Sequence, residues 1–476
     1  MKRHFFLKLI LPTVLVCTYL ALIYLNPYFN TIGFMDNIKT LSSPEYKGRL
    51  TGHEGGEKAA QYVVKKFKDI GLTPLGDNEG YIQEFKLNNV QLQGECTFKA
   101  YDARGNFLKS YIYGKDFKEI GFGKCSSGSV KGEVSSKISN KKPIYMFKEE
   151  MITEVEDIYK LDDVLMENSV KAAIYTTESE FDFRTPYKLQ KTYKGGINKI
   201  MVNKAISKEI ETLSKTGATF EITTNTTNKV VKGQNIIGMI KGRNPSLPPL
   251  IISSHIDHVG YDSDGRVYPG ALDNASGTSF VIESAKALSK SLPERNIIFA
   301  CFDAEEVGLL GSKYFAENPP TKIKNGKVIN FDMVASTKKI PLGVLSNKEN
   351  PLSKEILLIM KDIGVESNTL HMDNSDHASF DPVGIDSVTL IHDDVDKIHS
   401  PIDSIKNISE SRILDVFKTL KSYMVKNKII QDKDFTLHPN IHMVDYLTRY
   451  IVLFLTLIYF LNILLFLKIH RTRNKK

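Results

Sequence analysis

PLIISSHIDHVG, residues 249–260, decides how the rest of the chain is read: an apolar run that meets its first acid only after His255, at Asp257. Near-continuous apolar runs of this kind are typical of parallel strands covered on both faces. Upstream lies a second one, NIIGMIKG (235–242). Downstream come an amphipathic helix, SGTSFVIESAKALSKSL (276–292), a strand, RNIIFACFDAEE (295–306), a helix, VGLLGSKYFAEN (307–318), and the strands KVINFDM (327–333) and SVTLIHDD (387–394). Strand and helix in alternation predict an α/β domain, a mostly parallel mixed sheet flanked by helices.

In such sheets functional groups gather beyond the C-terminal ends of the strands. Five strand ends or following loops carry acids or histidines: His255 and Asp257; Asp273 in GALDNASG (270–277); Glu305 and Glu306; Asp332; and His399 with Asp403 in DKIHSPID (396–403). Taken singly each has a bland reading, Asp273 as a helix cap or the glutamates as acids favoured by a helix dipole. Together they match the needs of a two-metal hydrolytic site: a carboxylate shared by two cations, further nitrogen and oxygen ligands for each, and a separate carboxylate to move protons. Asp257, two residues beyond His255 on the same strand face, is placed to fix that ring's tautomer.

HIDHVG (255–260), GALDNASG, FDAEEVGLLGS (302–312), NFDM (330–333), SDHASF (375–380) and HSPIDS (399–404), in this order, resemble the M28 family of co-catalytic zinc metallopeptidases. The resemblance implies a zinc exopeptidase-like fold with two Zn(2+) ions per chain. It makes His255, Asp273, Glu306, Asp332 and His399 the metal ligands, Asp273 bridging, with Glu305 as general base and Asp257 orienting His255. It implies peptide substrates and most readily an aminopeptidase; carboxypeptidase or dipeptidase action, or an inactive receptor or scaffold of the same fold, are the alternatives. Three departures stand out. Ile398 precedes the last histidine where relatives often have Tyr, Ala335 stands where Gly is frequent, and no arginine accompanies Ser375, Asp376 and His377. Tyr261 and Tyr268 are candidate replacements for the missing oxyanion donor, and His377 is a candidate at the pocket rim. His258, His371 and His392 read as surface or supporting residues.

The remaining segments complete the division. GEKAAQYVVKKFKDIGL (56–72) carries Ala59, Val63, Phe67 and Ile70 at helical spacing and ends on Gly71. It belongs to residues 28–87, a first part of the peptidase domain. Short alternating segments such as CTFKAYDA (96–103), FLKSYIYG (107–114) and TFEITTN (219–225) make 88–228 an inserted small β-rich domain with helices near 160–170 and 203–215. Relatives often carry a protease-associated insert there. Residues 229–430 are the main metallopeptidase domain and 431–449 a linker.

The chain has 63 Lys plus Arg against 55 acids, a formal net charge of +8. Residues 1–8 and 468–476 hold eight of the bases and no acid, so the body between them is balanced, 55 against 55, which argues against a nucleic-acid binder. Both basic ends flank apolar runs, 9–25 and 450–467. The second holds 14 Leu, Ile, Phe and Val, on the order of −4 to −8 kcal/mol of insertion energy. A transmembrane helix is therefore expected at each end, a signal anchor within 1–27 and a C-terminal span within 450–476. That places the protein in the cell membrane with two spans, the bilayer as a partner, both termini cytoplasmic and the catalytic body outside. Of four cysteines, Cys96 and Cys125 form the only pair suited to bridge in an oxidising compartment; otherwise they are free thiols. Oligomeric state is not legible.

Overall fold

The computed structural model describes residues 28–92, 94–138, 141–147, 155–178, 181, 184 and 193–437. Among them a nine-stranded mixed sheet forms the centre. Strand Leu250–His255 lies between Ile297–Phe302 and Lys327–Asp332, parallel to both, and Asp386–Ile391 continues the parallel set beside Lys327–Asp332. Thr226–Ile240 adds antiparallel to Ile297–Phe302, and Leu342–Ser346 antiparallel to Asp386–Ile391.

Period-two alternation explains why these strands are apolar throughout: successive side chains feed opposite layers. Ile252, Ile297, Phe299, Cys301 and Phe331 join the core under helices Thr31–Leu41, Gly277–Leu288 and Ile413–Lys426. Ile251, Ile298, Ala300, Phe302 and Val328 face Phe315 and Phe380 on the other side. The expected helix at 56–72 is found as Glu54–Ile70, ended by Gly71 in the left-handed region (φ 83°).

Two long strands, Ile82–Leu92 and Thr226–Ile240, pair antiparallel from Ile82↔Ile236 to Leu92↔Thr226 and carry the chain to the β-rich unit. That unit holds a four-stranded sheet and a five-stranded sheet, with helices Val155–Glu167 and Lys204–Ser214. Phe98, Phe117, Phe220, Ile174 and Ile200 pack between them. Cys96 and Cys125 are buried free thiols: Cys96 Sγ lies 3.2 Å from Asn225 Oδ1 and Cys125 Sγ 3.3 Å from the Ile120 carbonyl.

The expected transmembrane helix at each end, and the two-span membrane location and bilayer partnership that rest on it, are corrected. Among the described residues no helix is long and apolar enough to cross a membrane. The longest, Glu54–Ile70, has 17 residues, short of the ~20 apolar positions a span requires, and it carries lysines at 58, 65, 66 and 68. The runs 9–25 and 450–467 lie outside the described residues.

Candidate active site

The four parallel strands end at one edge of the sheet, and each leads to a candidate residue. His255 closes the first; Asp303, Glu305 and Glu306 follow the second; Asp332 closes the third; the loop after the fourth runs to His399. Asp273 arrives from the loop entering helix Gly277–Leu288, where Gly270 takes φ 57°. A Cβ at Gly270 would stand 2.3 Å from the Asp273 carbonyl and 2.5 Å from the His258 ring, so only glycine lets the loop turn there.

His255 Nε2 lies 3.2 Å from Asp332 Oδ1 and 3.4 Å from Asp273 Oδ1. His399 Nε2 lies 3.2 Å from Asp273 Oδ2 and 3.0 Å from Glu306 Oε2. Ligand atoms about 2.0–2.1 Å from a tetrahedral zinc stand roughly 3.3 Å apart. The spacing therefore suits two zinc ions, with the two oxygens of Asp273 divided between a His255/Asp332 set and a His399/Glu306 set.

Each acid is held by a neighbour that leaves the inward oxygen available. Ser375 Oγ donates to Asp332 Oδ2 (2.8 Å), and His258 donates from Nδ1 to Glu306 Oε1 (2.9 Å). The backbone N–H groups of Leu272 and Asp273 donate to Asp403 (2.9 and 3.1 Å), which fixes the shared acid from behind. Asp257 Oδ1 stands 3.7 Å from His255 Nδ1 and accepts from the Glu305 N–H (3.0 Å), while its Oδ2 accepts from the Glu306 N–H (3.2 Å). Its side chain thus aligns both glutamates, and its backbone carbonyl lies 3.3 Å from His255 Nδ1. Glu305 is the less buried of the two, and a carboxylate oxygen of it lies within 4.8 Å of the donor atoms of His255 and Asp332.

The electrostatics follow from crowding acids around few bases. Burial alone would depress His255 and His399, but Asp332 and Glu305 around the first, and Glu306 and Asp273 around the second, push both well above the ordinary histidine range. Asp273 is held well below the carboxylate range by hydrogen bonds from His255 and His399 that outweigh its burial, and His399 chiefly brings Glu306 down to about 2. Glu305 moves the other way: burial raises it against the pull of His255, with Glu306, Asp376 and Asp332 adding to the rise.

All seven predicted site residues therefore meet at one place. Several supporting residues were not singled out from sequence. Arg49 is fully buried and donates to the carbonyls of Leu41, Ile256, Pro269 and Gly270 (2.7–2.8 Å), tying the first ligand loop to the second. Asn274 braces the third strand end through Phe331 O (2.9 Å) and the Met333 N–H (3.2 Å). His258 read as a supporting histidine, and its place directly after HID was the only signal that it reaches Glu306. Two other expectations fail, those for His377 and Tyr268. Both ring nitrogens of His377 are engaged, by Thr389 Oγ1 (2.9 Å) and the Met372 carbonyl (3.0 Å). Tyr268 is buried with its hydroxyl donating to Asp262 (2.7 Å), and Tyr261 packs edge-on against His53.

With this arrangement in view, the sequence matches Peptidase family M28 over residues 235–424. That part of the chain is an M28 peptidase domain. Aminopeptidase YwaD of Bacillus subtilis is 34% identical over 194 residues, 38% of this chain and 41% of its own length. Aminopeptidase Y of Saccharomyces cerevisiae is 34% identical over 155 residues, 32% of this chain and 27% of its own. The chain thus spans less than half the length of these relatives. Among solved structures, BSAP, a zinc aminopeptidase from Bacillus subtilis, aligns with a TM-score of 0.64 at 20% identity, covering 86% of this chain and 99% of that one. The aminopeptidase from Aneurinibacillus sp. strain AM-1 aligns at 0.60 and 21%, covering 84% and 93%. At such identities the likeness is one of fold, and it extends beyond the M28 domain into the β-rich unit.

Proposed function

We propose that the protein is a two-zinc exopeptidase that removes residues from the amino terminus of peptides, with residues 88–228 as a protease-associated-type unit beside the cleft. The observation that carries this reading is the pair of three-residue ligand sets, at tetrahedral spacing, sharing Asp273. His255, Asp332 and Asp273 would hold one ion and His399, Glu306 and Asp273 the other. Bound zinc supplies a Lewis acid for the peptide carbonyl and lowers the pKa of an attacking water.

Glu305 is the carboxylate left over once the ligands are assigned, and it takes the proton from water and returns it to the leaving amine. Neutralising Glu306 and Asp332 removes two of the charges that raise Glu305, which brings it back toward the range of a working base. The two buried arginines near the site are committed elsewhere, Arg49 to backbone carbonyls and Arg184 to Asp262, which disfavours capture of a terminal carboxylate.

Peptides blocked at one end or the other test the proposal. The zinc-loaded protein should cleave a peptide with a free amino terminus and an amidated carboxyl end, and leave the N-acetylated, free-carboxyl version intact. The reverse pattern would make it a carboxypeptidase; cleavage of neither would make it a dipeptidase if a free dipeptide is hydrolysed, and an inert scaffold if that too is left intact.

A further inference from the structure

His399 has φ 55°, the left-handed region that non-glycine residues occupy only when their surroundings hold them there. Part of that hold comes from the β-rich unit. The backbone N–H of Arg184 donates to the His399 carbonyl (2.8 Å). Arg184 is itself buried, and its guanidinium pairs with Asp262 Oδ1 and lies 3.6 Å from Glu119 Oε1. Asp262 is held in turn by Lys118 Nζ (2.9 Å) and the Tyr268 hydroxyl (2.7 Å). Lys118 and Glu119 belong to the edge strand Phe117–Glu119 of the five-stranded sheet, whereas Asp262 and Tyr268 lie on the loop that joins His255 to Asp273. Two cations and two carboxylates thus make a balanced buried cluster between the units, and Arg184 is the member whose backbone reaches a metal-ligand residue.

We propose that Arg184 is a positioning residue for His399, through which the β-rich unit sets the zinc affinity of the His399/Glu306 site and leaves that of the His255/Asp332 site alone. This rests on the two-zinc reading above. Outer partners that orient a ligand change metal affinity by about 10- to 100-fold when lost, whereas a general packing role would weaken both sites or destabilise the fold without selectivity.

The test is zinc titration of the chelator-stripped full chain, in competition with a chelator of known affinity, for wild type and Arg184→Met. Two binding steps are expected in wild type. In the variant one step weakens by about 10- to 100-fold, the other is unchanged, and peptidase activity lost at limiting zinc returns at saturating zinc. Equal weakening of both steps, or of neither, overturns the proposal. If circular dichroism shows that Arg184→Met does not fold, Arg184→Lys carries the test, since it retains the buried charge but not the planar fork. A smaller weakening of one step alone is expected there, and affinities equal to wild type overturn the proposal. A wild-type chain that takes up a single zinc overturns the two-zinc reading instead; the brace is then judged by whether that affinity falls in the folded variant.

Discussion

Single side chains divide here between those that would touch reacting atoms and those that aim them. Glu305 belongs to the first group, and Glu305→Gln should lower kcat by about 100- to 10,000-fold while zinc content by mass spectrometry stays at the wild-type value. Asp273→Ala should lose metal and turnover together, because both ligand sets depend on it. His258 belongs to the second group: it holds the outer oxygen of Glu306, so His258→Ala should weaken zinc binding by about 10- to 100-fold and keep activity when zinc is saturating. Ala335, in the position where Gly is frequent, sits at φ 71°, with its N–H bonded to His392 Nδ1 (2.9 Å). The left-handed conformation costs an alanine about 1–2 kcal/mol, part of which glycine's greater freedom in the unfolded chain cancels. Ala335→Gly should therefore raise the thermal midpoint slightly without changing activity.

At the scale of elements, the loops matter more than the strands they leave. The helix expected from residue 307 begins only at Leu310, because Ala304, Gly308 and Leu309 take positive φ in a tight turn that aims Glu305 and Glu306 at the sheet edge. The loop before helix Gly277–Leu288 is equally constrained. Gly270→Ala would press a methyl group onto the Asp273 carbonyl and the His258 ring, and overpacking of this kind costs about 1–3 kcal/mol; the midpoint should fall and zinc uptake with it. Gly71→Ala is the control. It has the same left-handed backbone but open space around the added carbon, so it should lower stability by only about 1 kcal/mol and leave zinc binding intact.

At the scale of the whole molecule, buried charge makes the metal-stripped protein sensitive to pH. Burial, with other acids nearby, raises Asp303 and Asp376 to about 7 and Asp403 to about 6, and neighbouring carboxylates raise His255 and His399. The raised acids keep protons that the unfolded chain has released, and the raised histidines contribute stability that is fully present below the unfolded pKa and lost as pH climbs through the folded one. Both therefore lower stability as pH rises. Glu306, at about 2, and the depressed Asp273 oppose this at the acid end, where stability falls as pH drops below the unfolded carboxylate range. His53, His377 and His392, all depressed by burial, oppose it as pH falls below the ordinary histidine range, but these histidines are outnumbered by the raised groups. The stripped protein should accordingly melt at a higher temperature near pH 5 than at pH 7.5, and zinc should narrow the difference, since its ligands bind deprotonated and its affinity rises with pH. A stripped protein more stable at pH 7.5 would contradict this charge distribution.

What the sequence determined by itself is the α/β alternation and the list of candidate ligands, since apolar runs ending in His255, Glu306 and Asp332 carry both signals locally. The order of the motifs was enough to suggest a shared metal centre before any distance was known. It could not show that Arg49 sends donors to three carbonyls more than 200 positions away, those of Ile256, Pro269 and Gly270, or that Asn274 and Asp403 brace strands and loops remote in the chain. Nor could it show that Lys118 and Arg184 of the β-rich unit meet Asp262 beside the last ligand. Those contacts join residues separated by tens to hundreds of positions and leave no period or spacing to read. Only the tertiary structure brings them together, because a buried donor or charge is satisfied by whichever partner the packing of the whole chain delivers.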